Sequence, residues 1–104
     1  MIVVTTDTIE GSHIREVLGL VSANTVRARH VGKDIMAGFR SLVGGEVTEY
    51  AKLMAEAREQ ALSRLTTRAE ALGADAVVGL RFTTSMIAQG SAEILAFGTA
   101  VKLS

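Results

Sequence analysis

The fold of this chain is decided by the stretch 48–79, which reads TEYAKLMAEAREQALSRLTTRAEAL followed by GADAVVG. At about 100° of rotation per residue, the larger apolar and alanine side chains of the first part fall on one stripe. The stripe consists of Tyr50, Met54, Ala57, Ala61, Leu65, Ala69 and Leu72. Its opposite side is polar and carries Lys52, Glu56, Glu59, Ser63 and Glu70. This pattern predicts one long amphipathic helix over Thr48–Leu72.

Both ends of this helix carry sequence signals. Thr48 is the predicted N-cap, because its hydroxyl can accept a hydrogen bond from a free backbone N–H, and Glu49 places negative charge at the positive end of the helix dipole. Gly73 is predicted to end the helix in a left-handed conformation. The apolar period then changes from about 3.6 to 2, which indicates that a strand follows.

The N-terminal third predicts two strands. Ile2–Thr6 is β-branched throughout, which favours a short strand, and Gly11 suits the turn that follows. His13–Arg29 is rich in β-branched residues and predicts a long strand with interruptions at Gly19 and at 22–24.

The C-terminal third predicts a strand pair. After Gly73, regular alternation would place Ala76, Val78, Leu80 and Phe82 on one face and Val77, Gly79, Arg81 and Thr83 on the other. Residues 87–91 form the predicted connection, and Glu93–Leu103 the last strand. That last strand is apolar or small on both of its faces, which indicates that both faces are covered.

The predicted fold is α+β, a single domain over residues 1–104. Lys33–Val43 carries apolar residues at helical spacing and predicts a short helix ended by Gly44 and Gly45. We therefore expect a two-layer subunit in which a mainly antiparallel sheet is packed by one long and one short helix.

Composition excludes several classes of protein. Eleven basic and eleven acidic residues cancel, which removes the net attraction on which nucleic-acid binders rely. The absence of cysteine excludes disulfides and thiolate metal sites. Neither a signal peptide nor a stretch of about 20 apolar residues is present, so we expect a cytoplasmic protein without a membrane partner.

The apolar last strand also predicts self-association. One long helix can cover only one face of the sheet, so the remaining apolar surface must meet another copy. We therefore expect a homo-oligomer.

Several segments resemble the YbjQ-like family, whose members are often labelled putative heavy-metal-binding domains and remain uncharacterised. The segments are Gly11 with Ile14, 18–21, Gly44-Gly45 with Tyr50, 55–59 with Ala61, 72–79 and 98–101. The resemblance implies a compact subunit assembled as a ring, specifically a homopentamer, and it supplies no catalytic residues. Family members commonly carry other residues where this chain has Glu46, Val47 and Ala51.

The residues give no metal site in one chain. Soft metals favour thiolate and thioether ligands, and borderline ions favour imidazole. His13 and His30 lack the spacing of a paired site, and Met54 belongs to the apolar stripe of the helix. The identity of any metal ligand or cofactor stays unknown, and a site shared between subunits stays open.

Catalytic motifs are also missing from the sequence. No Gly-x-Ser-x-Gly is present, and Gly38, Gly44 and Gly45 lack the context of a phosphate-binding loop. We expect a non-enzymatic oligomeric domain that binds a small ligand or metal ion. The alternative is an enzyme whose site lies between subunits and is built from Thr5, Thr6, Glu46, Glu49 and Tyr50.

Arg64 and Arg68 lie one turn apart at the margin of the apolar stripe. In one interpretation their stems cover the edge of the core while the guanidinium groups stay in water. In the other, they pair with acids such as Asp75 or Glu93, within the chain or from a neighbouring subunit.

Overall fold

The computed structural model describes residues 1–28, 45–88 and 91–104, which form a four-stranded mixed sheet packed by one helix. The elements are β1 (Ile2–Val3), β2 (Ile14–Ala28), α1 (Gly45–Ala71), β3 (Ala76–Ala88) and β4 (Ser91–Leu103). The strand order is β1-β3-β4-β2, with β1 parallel to β3 and the other neighbours antiparallel. The α+β prediction is confirmed, while the predicted short helix Lys33–Val43 lies outside the described residues.

The core lies between α1 and the strands β2 and β4. Four buried helix residues line it: Ala57, Ala61, Leu65 and Ala69. The sheet contributes Val21, Ala23, Val77, Leu80, Ile94, Ala96 and Ala100. Because so many of these side chains are alanine, the helix can approach the sheet closely. The predicted stripe is confirmed along its middle, but Leu72 at its end is half exposed.

The start of α1 differs from the prediction. The helix begins at Gly45, so Thr48 lies inside it. An N-cap residue has a non-helical backbone, and the predicted cap at Thr48 is therefore wrong. The helix therefore begins before the position that the capping signal at Thr48 indicated.

The end of α1 is as predicted. Gly73 has a φ of 82°, in the left-handed region. Its N–H donates to the Glu70 carbonyl at 2.9 Å, and the Ala74 N–H donates to the Ala69 carbonyl at 3.1 Å. These two bonds are the pair that defines a Schellman motif. The motif turns the chain directly from α1 into β3.

Replacing the capping glycine tests this turn. Gly73→Val should lower the free energy of unfolding by more than about 1 kcal/mol, because a β-branched side chain is strained at positive φ. Gly73→Asn is the matched control and should cost less, since asparagine tolerates this region better. Thermal melts of the three proteins provide the measurement. A midpoint for Gly73→Val equal to that of the wild type would contradict the cap.

One of the two predicted irregularities in β2 is confirmed. Gly19 has a φ of 120°, and the register against β4 shifts between Val17 and Gly19. From Leu20 opposite Thr99 onward, the pairing stays in step to the end of the strand. The predicted interruption at 22–24 is therefore wrong. Alternation persists there because Val21, Ala23 and Thr25 are all buried on the helix side.

A β-bulge in β3 was not predicted. Val78 lies opposite Thr99 and Arg81 opposite Phe97, so Gly79 and Leu80 together face one residue of β4. Gly79 has a φ of 64°. The bulge reverses the alternation, and the prediction that Val78 and Leu80 share a face is wrong.

The N-terminal segment holds this bulge in place. The Gly79 N–H donates to the Thr6 carbonyl at 2.8 Å, and the Leu80 N–H donates to the Val4 carbonyl at 3.0 Å. Regular pairing of β1 covers only Ile2–Val3, shorter than the predicted strand. On the face opposite the helix, a second small cluster contains Ala76, Val78 and Val101, packed by Val4, Ile9, Ile14 and Leu103. The N-terminal segment thus covers one end of that face.

Candidate functional site

A row of arginines joins α1 to the edge strand β2. Arg64 Nη1 donates to the Asn24 carbonyl at 2.9 Å, and Arg68 Nη1 donates to the Ser22 carbonyl at 2.6 Å. Outward carbonyls of an edge strand lack a neighbouring strand, and charged donors can satisfy them. The second interpretation, in which these arginines pair with Asp75 or Glu93, is not borne out within the chain, because their partners are carbonyls of β2. The contacts are exposed, as the first interpretation expected, but each guanidinium group also donates to a backbone carbonyl of β2.

The same junction contains buried polar atoms. Arg27 Nη2 donates to Gln60 Oε1 at 2.8 Å. Thr25 Oγ1 and Arg27 Nε are buried and have no hydrogen-bond partner among the described residues. We call Thr25, Arg27, Gln60, Arg64 and Arg68 the polar seam. The three arginines of the polar seam are hydrogen-bond donors only, and the acceptors are the Gln60 oxygen and the Thr25 hydroxyl. A site rich in donors suits an anion or water better than a cation.

Asp75 and Glu93 each accept a hydrogen bond within the chain. Asp75 Oδ2 accepts a hydrogen bond from the Leu103 N–H at 2.9 Å. Glu93 Oε2 accepts one from Asn24 Nδ2 at 3.2 Å. These contacts tie the last strand to the turn after α1 and to β2, so the carboxylates support the sheet.

The residues of the alternative catalytic site do not come together in one chain. Thr5 and Thr6 lie beside the bulge, where the Thr6 carbonyl is bonded to Gly79. Glu46, Glu49 and Tyr50 lie at the other end of α1. The helix has 27 residues, so its ends are about 40 Å apart at about 1.5 Å per residue. Only a second copy could bring these groups near each other.

The described residues do not fit a heavy-metal site. Within 1–28, 45–88 and 91–104, no group of three histidine, cysteine or acidic side chains is close enough to hold a metal ion. His13 is exposed just before β2, and His30 lies outside the described residues. Met54 packs against the core as predicted, whereas Met86 is 76% exposed. The described part of one chain therefore offers neither a soft nor a borderline ligand set.

Apolar side chains lie bare on the sheet face opposite the helix. We define the open face as Val17, Leu20, Val26, Leu95 and Phe97. The residues that alternate with them, including Val21, Ile94 and Ala96, point into the helix core, which places these five on the other side. Leu20 is 75% exposed and Val17 is 64% exposed. Leu95 and Phe97 are half-buried.

A second bare surface lies on the helix side, along the far half of β3. We define the shelf as Phe82, Thr84 and Met86, which lie opposite the buried residues of β4, namely Ala96, Ile94 and Ala92. The helix lies over β2 and β4 and barely touches β3, so it leaves the shelf uncovered. Pairing with the N-terminal segment ends at Leu80. Beyond it, the outer edge of β3 has no strand partner among the described residues.

The polar seam and the bulge were both missed at the level of sequence. Regular alternation places Gly79 in step with its neighbours, although a glycine inside a strand is itself a signal for a bulge. The seam could not be recognised because its acceptors are backbone carbonyls, which have no sequence signature.

These features define a small α+β chain with two uncovered apolar surfaces and no assembled catalytic or metal site in its described part. Over residues 1–104, the chain matches the YbjQ family described as "Putative heavy-metal-binding". It is 58% identical over 103 residues to a UPF0145 protein of Methanosarcina acetivorans, covering 99% of this chain and 97% of that one. A UPF0145 protein of Archaeoglobus fulgidus is 53% identical, covering 99% and 95%. The chain belongs to this family, as the resemblance predicted.

The fold is also found among solved structures. One of them is a protein of unknown function from Pediococcus pentosaceus, assigned to the DUF74 family, with a TM-score of 0.68 and 17% identity. The superposition covers 100% of this chain and 98% of that one. In the part of the chain that the structure describes, no helix has the length and apolarity needed to cross a membrane.

Proposed function

We propose that this chain is a non-enzymatic domain that assembles into a ring of identical subunits and binds a small ligand or ion at the assembled surfaces. The observation that carries the proposal is the pair of bare apolar surfaces, the open face and the shelf. Soluble monomers rarely leave such patches uncovered. The number five comes from the family resemblance, and the packing alone is compatible with other ring sizes.

The shape of the single chain supports this proposal. Its radius of gyration is 17.4 Å, with extents of 56 × 22 × 16 Å. A compact domain of this length has a radius of gyration of about 13 Å. The chain also carries no net charge, so copies do not repel one another at long range. The elongated shape, the zero net charge and the exposed apolar surfaces of the subunit all favour self-association over a monomeric state.

Light scattering on the purified protein at micromolar concentration tests the assembly. We expect a mass of five subunits. A mass near the 11.0 kDa of one chain would refute the oligomer. A mass of two or three subunits would keep the oligomer and refute the pentamer.

The donor chemistry of the polar seam favours an anion over a cation as the small ligand. Arg27 and Thr25 present buried donor groups that lack partners among the described residues, and an anion or water could accept from both. Residues 1–28, 45–88 and 91–104 of one chain supply no ligand cluster for a metal ion, so a site shared between subunits stays open.

Metal content gives a direct prediction. Because the chain lacks cysteine and one copy has no ligand cluster in its described part, we expect no submicromolar binding of soft ions by a single subunit. Elemental analysis of protein purified without added metal, followed by a competition titration, provides the measurement. A tight ion that is lost on replacing His13 or His30 would contradict the prediction. A stoichiometric ion bound by the assembly alone would place the ligands between subunits.

The second candidate is an enzyme with an intersubunit site. It requires that Thr5 and Thr6 of one copy meet Glu46, Glu49 and Tyr50 of another. Cross-linking of the native assembly between cysteines introduced at Thr5 and Tyr50 separates the candidates. Efficient cross-linking between chains would favour the enzyme, and its absence would remove this site.

A further inference from the structure

We infer that the outer edge of β3 is a strand-addition site, and that its partner is the same edge of a second copy in an antiparallel, two-fold pair centred on Thr84. We define the β3 edge as the outer backbone of Arg81–Met86, which has no strand partner among the described residues. The inference goes beyond the proposed ring and does not depend on it, because the contact is made by backbone groups at the rim of the sheet.

The pairing of β2 with β4 fixes which backbone groups face β3. In an antiparallel pair, residues that bond to the neighbouring strand alternate with residues whose N–H and C=O point away from it. The Ser22 and Asn24 carbonyls point away from β4, because two arginines of α1 bind them. Phe97 and Leu95, which lie opposite these two residues, therefore direct their own N–H and C=O groups to β3.

The same alternation fixes the outward groups of the β3 edge. Arg81 and Thr83 lie opposite Phe97 and Leu95 of β4, so their backbone groups are bonded inside the sheet. The residues that alternate with them direct their N–H and C=O groups outward. These residues are the three that form the shelf, namely Phe82, Thr84 and Met86. Their side chains lie on the helix side while their backbone groups line the open rim.

The β3 edge lacks the features that protect edge strands. Native edges are blocked by lysine, proline, bulges or a covering segment, and the edge of β2 has both a bulge and charged donors on its carbonyls. Arg81–Met86 contains no lysine or proline and stays in register with β4 throughout. Every side chain of 81–87 is exposed. The single charge, on Arg81, is drawn back by its bonds to the Thr5 and Leu80 carbonyls at 2.8 Å each.

The β3 edge is complementary to itself. An antiparallel pair that uses all three outward residues places Thr84 opposite Thr84 of the second copy, and Phe82 opposite Met86 of the second copy. Each pair of outward residues exchanges two backbone hydrogen bonds. On the helix side, the ring of Phe82 then lies beside the thioether of Met86, which is a favourable contact. On the other side, Thr83 lies opposite Ser85, and cross-strand hydroxyl pairs of this kind are stabilising.

The length of the open edge and its charge also fit this register. The N-terminal segment occupies the rim as far as Leu80, and the register sets Ala88, the last residue of β3, opposite Leu80. The pair therefore ends where the N-terminal segment begins. Arg81 lies opposite Ile87 of the second copy. The two Arg81 side chains are about 20 Å apart along the strands at about 3.4 Å per residue, so their repulsion is largely screened.

The mass at high protein concentration tests the pairing. Because one short strand from each copy forms the contact, we expect it to be weak, so micromolar protein keeps its mass and millimolar protein approaches twice that mass in light scattering. The increase stops at two, since each copy has one such edge and the contact is isologous.

Substitutions at the two-fold axis identify the contact. Thr84→Pro removes an outward N–H that is not bonded to β4, so the fold should survive while the doubling of mass is lost. Thr84→Val keeps the N–H and is the matched control, which should double as the wild type does. Thr84→Lys sets two like charges opposite each other and should also abolish the doubling. Circular dichroism shows whether each variant is folded.

Cross-linking of single cysteines tests the register, since the chain has no cysteine of its own. In the inferred pair, Thr84→Cys faces its own copy with Cα atoms about 5.5 Å apart. Met86→Cys is on the same exposed side, but its counterpart lies about 14 Å further along the strands at about 3.4 Å per residue. A short bismaleimide should therefore join two chains of Thr84→Cys efficiently and leave Met86→Cys as single chains.

The outcomes separate this inference from the proposed function. A wild type that is monomeric at micromolar and dimeric at millimolar concentration would refute the ring and support the pairing. A mass that stays constant over this range would refute the pairing and leave the ring intact. Doubling that persists in folded Thr84→Pro and Thr84→Lys would also refute it, as would preferential cross-linking of Met86→Cys.

Discussion

Gly98→Ala is expected to lower the free energy of unfolding by about 2–3 kcal/mol, a large cost for the addition of one methyl group. A Cβ at this position would lie 2.8 Å from Val77 Cγ1 and 3.1 Å from the Val78 carbonyl oxygen. The backbone of β3 bulges at this point and cannot retreat without breaking its bonds to the N-terminal segment. Chemical denaturation of both proteins provides the measurement.

A double-mutant cycle isolates the cause. Val77→Ala removes the closer of the two contacting groups and by itself leaves a cavity in the core. The pair Gly98→Ala and Val77→Ala should cost clearly less than the sum of the two single changes, because the new methyl group partly fills that cavity. Additive costs, or a denaturation midpoint unchanged by Gly98→Ala, would contradict the close approach.

Two neighbouring substitutions in β4 should have opposite outcomes. Ile94 is 1% exposed and packs under α1, whereas Leu95 lies on the open face. Ile94→Glu would bury a charge with no partner, and the cost of several kcal/mol exceeds what a small domain can tolerate. We expect that variant to be unfolded. Leu95→Glu should stay folded and dissociate, since its carboxylate reaches water in the single subunit.

Far-UV circular dichroism and light scattering distinguish the two results. The prediction requires a loss of the folded signal for Ile94→Glu, and a folded signal at the mass of one subunit for Leu95→Glu. If Leu95→Glu keeps the wild-type mass, the open face does not lie in the interface. If both variants unfold, both faces of β4 are enclosed in the folded subunit, which would contradict the exposure of the open face.

Elements governed by local chemistry could be predicted from the sequence. The long helix follows from the spacing of alanine and leucine, and its end follows from Gly73, which adopts the required left-handed conformation. The bulge at Gly19 was recognised for the same reason, since a glycine within a β-branched run is a local signal. In each case the residue and its near neighbours hold all the necessary information.

Features that depend on distant partners could not be predicted. The bulge at Gly79 is fixed by Val4 and Thr6, more than 70 residues away along the chain. The sequence indicates water or carboxylates as the partners of Arg64 and Arg68, but the partners are carbonyls that only the path of β2 brings near. The start of α1 at Gly45 could not be predicted, because glycine and the β-branched Val47 are weak helix formers and Thr48 carries a capping signal.

The extra residue at Gly79 acts as a phase shift of half a period in β3. Without this shift, Phe82 and Met86 would lie on the same side of the sheet as Leu95 and Phe97. The exposed apolar side chains would then form a single surface. With the shift, exposed apolar side chains lie on both sides of the sheet, Phe82 and Met86 on the helix side and Leu20 and Val26 on the other. One inserted glycine thereby gives the subunit two apolar sides in place of one.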